Sequence, residues 1–274
     1  MRETTLVLGA TGKTGSRVAT GLTARGLPVR TAARSGADVH FDWDRPDTHT
    51  AALADVDRVY LVAPVLRTDH APQVSAFLDR AEAAGVRHVT YLSAYGVEST
   101  PPEVAARAVE LDLLARPDLG HSVLRPAWFM QNFSETFLKP VDDAIVIPTG
   151  GGTEAFIDAE DIAAVAVETL ADPRAHDGAE YALTGPEALS VAVAAEIIGA
   201  AVGRTVTHVD VDREAWVAGV IATGVPAEYG TVLRALTETI ATGHGSRPND
   251  VVEKVTGAVP RNFEEFAARE ASAW

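Results

Sequence analysis

Seven residues near the start of the chain, Gly9-Ala10-Thr11-Gly12-Lys13-Thr14-Gly15, have the types and spacing to cradle a pyrophosphate. The pattern is G-x-x-G-x-x-G. Gly9 permits a tight turn out of a strand, Gly12 lets the backbone approach the phosphates, and Gly15 lets the next helix pack close to the sheet. First-turn amides and the helix dipole then meet the negative charge. Thr11, Lys13 and Thr14 therefore join the glycines as candidate cofactor-binding residues, with Lys13 either neutralising phosphate or pointing to water. The triplet carries weight only between a strand and a helix. That is its context here: the apolar run Thr5–Leu8 precedes it, and a helical stretch over Gly12–Arg25, closed by Gly26, follows.

The second strand, Val29–Ala33, indicates which dinucleotide. An NAD site usually places an acid at the end of this strand to hold the ribose hydroxyls. Between Gly15 and Asp38 there is none, and the strand ends in Arg34-Ser35. A guanidinium donates two hydrogen bonds in a fork that suits a 2′-phosphate, and Ser35 adds a hydroxyl. NADPH is expected in preference to NADH. A weak third strand, Val39–Phe41, leads into Phe41-Asp42-Trp43-Asp44, where the chain passes the adenine edge. Asp42 can accept from the adenine amino group and Trp43 or Phe41 can flank the ring; an ordinary loop with a packing aromatic is the alternative.

The elements that must position these residues alternate between strand and helix. After a short helix over Thr48–Leu53 come the buried strand Arg58–Ala63, the helix Pro72–Ala84 closed by Gly85, the strand His88–Ser93, the helix Val104–Leu114 and the strand Ser122–Arg125. This alternation implies parallel strands joined by crossovers, hence an α/β doubly wound parallel sheet. Residues 1–150 read as the dinucleotide-binding domain. Residues 151–274 read as a smaller C-terminal lobe that completes the sheet and covers the substrate pocket, with a soft boundary. In this lobe Ala144–Pro148 is an expected strand leading in, Ala159–Leu170 a helix capped by Asp158, and Val191–Val202 and Arg213–Thr242 are helical. Glu154, Asp158, Glu160 and Asp161 read as carboxylates at a helix start, explained by capping and the helix dipole.

Composition narrows the partners. The 274 residues carry a net charge of −15, which disfavours nucleic acid and anionic lipid. There is no cysteine, so disulfides, thiolate metal sites and cysteine nucleophiles are excluded, and a cytoplasmic setting is expected. No segment of about 18 apolar residues spans a membrane, and the histidines lack metal-like spacing. A small molecule is the expected partner; monomer and dimer are both open.

The glycine turn, the strand Arg58-Val59-Tyr60-Leu61-Val62-Ala63-Pro64 and above all the stretch Leu124-Arg125-Pro126-Ala127-Trp128-Phe129-Met130-Gln131-Asn132-Phe133 resemble the NmrA-like atypical short-chain dehydrogenases. Within them the sequence looks closest to the festuclavine dehydrogenase group of ergot alkaloid biosynthesis and its bacterial relatives. Phe156-Ile157-Asp158-Ala159-Glu160-Asp161-Ile162-Ala163 and the ending from Val255-Thr256-Gly257 to Arg261-Asn262-Phe263 also fit. The resemblance covers nearly the whole chain. It implies a Rossmann fold of the atypical, extended type, NAD(P)H binding, and reduction of a small organic molecule such as an iminium, quinone or conjugated alkene, in secondary metabolism. Ordinary short-chain dehydrogenases use Tyr-x-x-x-Lys, in which lysine lowers the tyrosine's pKa. The only lysines here are Lys13, Lys139 and Lys254, and none follows a tyrosine by four residues. The lysine of isoflavone-reductase-like relatives, in the helix after the fifth strand, is also missing.

For chemistry there remain Ser93 and Tyr95, at the end of the fifth strand, as candidate catalytic residues beside the nicotinamide or substrate. Ala63 and Pro64 shape the loop after the fourth strand. Trp128, Phe129, Met130 and Asn132 form an aromatic, adaptable segment suited to a planar apolar substrate. An iminium needs no proton donor when hydride arrives, which fits a site without Tyr-x-x-x-Lys. A redox-sensing regulator that binds dinucleotide without turnover, and a non-redox enzyme on the same fold, stand as the alternative readings.

Overall fold

The computed structural model describes residues Glu3–Trp274. Its elements run β1 (Thr5–Leu8), α1 (Gly15–Ala24), β2 (Val29–Ala33), β3 (Val39–His40), α2 (Asp47–Leu53), β4 (Arg58–Val62), α3 (Ala71–Ala83), β5 (His88–Leu92), α4 (Ala105–Leu114) and β6 (Gly120–Pro126). There follow α5 (Asn132–Glu135), β7 (Ala144–Val146), β8 (Thr153–Glu154), α6 (Ala159–Ala171), β9 (Ala179–Leu183), β10 (Leu189–Ser190), α7 (Val191–Val202), β11 (Thr207–Val209), α8 (Arg213–Ala222), α9 (Gly230–Ala241), α10 (Val251–Thr256) and α11 (Phe263–Glu270).

Two compact units emerge. The first holds residues up to Val65, Asp69–Pro126 and Ala159–Ala182; the second holds Leu66–Thr68, Ala127–Asp158 and Leu183–Trp274. The boundary expected at residue 150 does not coincide with them, because α6 and most of β9 return to the first unit.

The first unit is built on a seven-stranded sheet in the order β3-β2-β1-β4-β5-β6-β9. β1 pairs in parallel with β2 and β4, and the parallel pairing continues from β4 through β5 to β6. The central strands are mostly apolar because both faces are covered. On one face Leu6, Leu8, Val59, Leu61, Val89 and Tyr91 meet Leu53, Phe77, Leu78 and Leu113 from α2, α3 and α4. The intervening residues meet α6: the Thr90 hydroxyl lies 2.9 Å from that of Thr169. α6 in turn packs on α1, where a Cβ on Gly21 would stand 2.8 Å from Val167. The doubly wound Rossmann fold is the one expected. The strand order reverses between β1 and β4, and in such sheets ligands bind beyond the carboxyl ends of the strands at that switch point.

The second unit has its own core, in which Phe133, Phe156, Phe263 and Phe266 pack with Ile145, Ile147 and Ile198. Phe133 contacts Phe156 and Phe263 edge-on, each at 5.0 Å between ring centres. The helical stretch expected over Arg213–Thr242 is two helices, α8 and α9. Gly224, at φ +105°, and Pro226 break it. β8, β10 and β11, of two or three residues each, are too short for a periodicity to form in the sequence, and β10 pairs β8 while β11 pairs β7. Among the described residues no helix is long and apolar enough to cross a membrane, and no cluster of His, Asp and Glu could hold a metal ion.

Candidate functional site

The glycine turn sits at the switch point. Gly9 leaves β1 at φ +61°, a conformation that side chains disfavour, and passes over Val62 at the end of β4. The Gly12 amide donates to Gly9 O at 2.8 Å and closes the turn. A Cβ on Gly12 would stand 3.2 Å from Gly9 O, while one on Gly15 would run into the carbonyls of both Gly9 and Leu8. Gly15 thus lets the helix start directly against the strand end. The helix begins at Gly15 and not at Gly12 as the sequence suggests, since residues 9–14 are consumed by the turn. Thr11 and Gly12 are exposed, Lys13 is half-buried, and Thr14 and Gly15 are buried. Among the described residues no backbone carbonyl accepts from the amides of Thr11 and Thr14. Amides without a backbone carbonyl partner at a helix start, beside a Gly12 that carries no side chain, fit a pyrophosphate.

Arg34 and Ser35 follow β2 and are exposed. Gly36, at φ +71°, brings their loop against the turn, with its Cβ position 3.5 Å from the Thr11 methyl. The nearest acid in sequence is otherwise engaged. Asp38 accepts from the Thr31 amide at 2.9 Å and its hydroxyl at 2.8 Å, bonds that hold its carboxyl below the usual range. Other arginines are bound to carboxylates, as Arg17 is to Glu160 and Arg116 to Asp79. Among the described residues no carboxylate pairs with the Arg34 guanidinium.

The adenine-edge residues divide. Phe41 is buried, stacked on His49 at 4.6 Å and edge-on to Phe77 at 5.6 Å, so its face is not open to a base. Trp43 is half-buried in the same cluster, 5.4 Å from Phe77. Asp42 Oδ1 accepts from the Asp44 amide at 3.0 Å, which forms a local turn. This segment serves packing first. Ala63 and Pro64, half-buried, follow β4 beside the turn.

At the end of β5 the Ser93 hydroxyl donates to Glu110 at 2.6 Å. Glu110 is fully buried and also receives Arg107 at 2.8 Å and a two-pronged contact from Arg125, 2.9 Å at each prong. Burial pushes its carboxyl up, but the bonds from Arg125, Ser93 and Arg107 outweigh this and hold it below the usual range. The proton of Ser93, expected as a catalytic candidate, is directed at Glu110, and the bond ties β5 to α4. Tyr95, two residues on, is half-buried, with its amide donating to Pro126 O at 3.0 Å. Glu110 escaped the sequence reading because on α4 it looks like one more helical glutamate. Glu110→Gln is expected to destabilise the protein by about 3 kcal/mol, the lower end for a broken buried ion pair, because Arg125 keeps Glu180 as a partner. Urea unfolding measures it, and a loss below about 1 kcal/mol would place the network among exposed pairs.

In the second unit, Trp128 and Phe129 are half-buried, and Asn132 is half-buried with Oδ1 accepting from the Thr136 hydroxyl at 3.0 Å. Met130 is a correction: it is 1% exposed and lies in the core with Phe133, because the tight turn over residues 129–133 points it inward. Gln131 Nε2 donates to Asp158 Oδ1 at 2.8 Å, and Arg269 reaches Asp158 Oδ2 at 2.5 Å. Asp158 therefore anchors the unit besides preceding α6. Glu154 is not at a helix start. It lies in β8, 2% exposed, and among the described residues accepts only the Trp128 amide, at 3.4 Å. Burial raises its pKa to about 7. A Cβ at residue 245 would collide with its carboxyl, so Gly245 makes room for it.

Comparison with known proteins gives the family and the fold. Residues 9–173 match a family described as NAD(P)H-binding. The chain is 41% identical to the uncharacterized oxidoreductase YesF of Bacillus subtilis, over 98% of this chain and 96% of that one. It is 34% identical to festuclavine dehydrogenase easG of Aspergillus fumigatus, over 99% of each chain. The fold matches that of the NADPH-dependent quinone oxidoreductase QOR2 of Escherichia coli, solved with NADPH, at a TM-score of 0.80 and 20% identity, over 97% of this chain and 99% of that one.

Proposed function

The chain belongs to the NAD(P)H-binding family, among oxidoreductases, and from that membership we propose that it is an NADPH-dependent reductase of an apolar, electron-poor small molecule: an iminium, a quinone or a conjugated alkene. The observation that carries the cofactor choice is the exposed Arg34 guanidinium, without a carboxylate partner, on a loop held against the glycine turn, while Asp38 is turned onto Thr31. The quinone is taken from the name of the quinone oxidoreductase; the iminium and the conjugated alkene are what the resemblance to the festuclavine dehydrogenase group implies.

Bound NADPH supplies a hydride. The chain's residues do the rest. Amides of the turn hold the pyrophosphate, Arg34 and Ser35 hold the 2′-phosphate, and Ala63 and Pro64 line the end of β4. Ser93, bound to Glu110, fixes the end of β5 so that Tyr95 stands at a defined place. We assign contact with the substrate to Tyr95, Trp128, Phe129 and Asn132. With no Tyr-x-x-x-Lys pair, rate enhancement rests mainly on orientation, and an iminium suits it best because its nitrogen only loses a positive charge on reduction.

The test is NADPH consumption across a panel of cyclic iminium ions, quinones and enones. Turnover of at least one class is expected, and none with any class would overturn the reading. Arg34→Ala is expected to weaken NADPH binding about tenfold or more while leaving NADH binding nearly unchanged, since a charge-assisted phosphate contact is lost. Equal loss of both cofactors would refute the 2′-phosphate assignment.

A further inference from the structure

α8 is apolar around most of its surface. Ala215, Trp216, Val217, Ala218, Val220, Ile221 and Ala222 fill it, yet only Val217 is buried. One side of the helix faces an open cleft of about 680 Å³, whose other wall includes Phe137, Val146 and Val211. Every lining residue is apolar, a glycine or a threonine; Thr136 and Thr223 bring the only hydroxyls and no lining residue is charged. The whole cleft lies within the second unit.

Three features indicate that the space is kept open. First, Trp216 is fixed: its indole N–H donates to Val146 O at 2.8 Å, so the ring is held as a wall and its polar atom is satisfied. Second, the helix is held at its start by Asp212, whose side chain accepts from the Ala215 amide at 2.9 Å. Third, Gly219 lines the cleft from inside the helix, where glycine is the least favourable residue after proline. No packing constraint requires it, for a Cβ there would meet nothing within 4 Å, and its φ is not left-handed. A side chain at this position would take up part of the open space that Gly219 lines.

We propose that this cleft is a binding site for an uncharged, planar aromatic small molecule, seated between Trp216 and Phe137 over Gly219. The volume falls in the range of small-molecule sites, and so does the lining, apolar with a few polar groups at its edge. A charged ligand is disfavoured: on a chain of net charge −15 an anion is repelled, and no lining carboxylate offers itself to a cation. The inference concerns the second unit alone and is read without NADPH, so its failure and that of the reductase reading are distinct.

The probe is N-phenyl-1-naphthylamine, an uncharged aromatic fluorophore that brightens in apolar surroundings and accepts energy from tryptophan. Titration of the full chain is expected to give saturable one-to-one brightening. Gly219→Phe is expected to weaken it about tenfold or more, since the new ring takes the space of one ring of the probe. Gly219→Ala is expected to keep binding and to raise the unfolding temperature. Trp216→Phe supplies a reading that does not depend on how Gly219→Phe folds: brightening on direct excitation persists while emission sensitised through tryptophan falls. Absence of saturable binding, unchanged affinity in Gly219→Phe, or undiminished sensitised emission in Trp216→Phe would each overturn the site.

Discussion

Gly12→Val is expected to abolish measurable NADPH binding while the protein unfolds at nearly the wild-type temperature. Gly12 is exposed, and its carbonyl accepts from the Ser16 amide at 3.2 Å, a backbone bond that valine preserves. The first atom of a side chain would stand 3.2 Å from Gly9 O, which the turn can accommodate by a small shift. The two further carbons of valine project where a pyrophosphate must lie to reach the Thr11 and Thr14 amides. Losing two charge-assisted hydrogen bonds of about 1.5–3 kcal/mol each corresponds to a hundredfold or greater loss of affinity. Gly15→Val is the contrast. Its side chain would collide with the Gly9 and Leu8 carbonyls inside the fold, so it removes stability together with binding. Calorimetric titration with NADPH beside thermal unfolding checks both. Unchanged affinity in folded Gly12→Val would mean that the phosphates lie elsewhere.

The contrast between these glycines indicates what the sequence could convey. Buried strands such as β4 and β5 are legible because both faces are covered and most of their residues are apolar, and the turn between β1 and α1 is legible because each glycine answers a distinct steric demand. Arg34 is legible by elimination, through the missing acid. What stays hidden depends on pairing across the chain. Glu110 and Arg125 are 15 residues apart, Gln131 and Asp158 are 27 apart, and no local pattern marks either pair. Met130 and Phe133 look like an apolar surface in a line of letters, and the turn over residues 129–133 sends both inward. β8 has two residues, too few for any periodicity, so from sequence Glu154 groups with the acids that start α6.

That misplaced residue should dominate the pH dependence of stability near neutrality. Glu154 is buried, Oε1 accepts the Trp128 amide at 3.4 Å, and Oε2 has no hydrogen-bond partner among the described residues. Among the described residues no lysine or arginine pairs with it, so burial favours the neutral form and raises its pKa to about 7, against an ordinary value of 4.5. Between these two values the folded protein binds more protons than the unfolded chain. Stability therefore falls as pH rises through this window, and above about pH 7 the full penalty is in force. The shift corresponds to about 3 kcal/mol. Glu154→Gln keeps the shape and the acceptor for Trp128 but carries no charge. It is expected to exceed wild type by about 1 kcal/mol at pH 5 and by about 3 kcal/mol at pH 8.5. His88 works in the opposite direction: burial lowers its pKa to about 4, so its contribution rises with pH as the unfolded imidazole loses its proton. The raw profile mixes the two, whereas the difference between wild type and Glu154→Gln at each pH isolates Glu154. Urea unfolding from pH 5 to 8.5 gives that difference. A flat difference across the range would mean that Glu154 ionises in the folded state as it does in water, and that a compensating partner or solvent reaches its carboxyl.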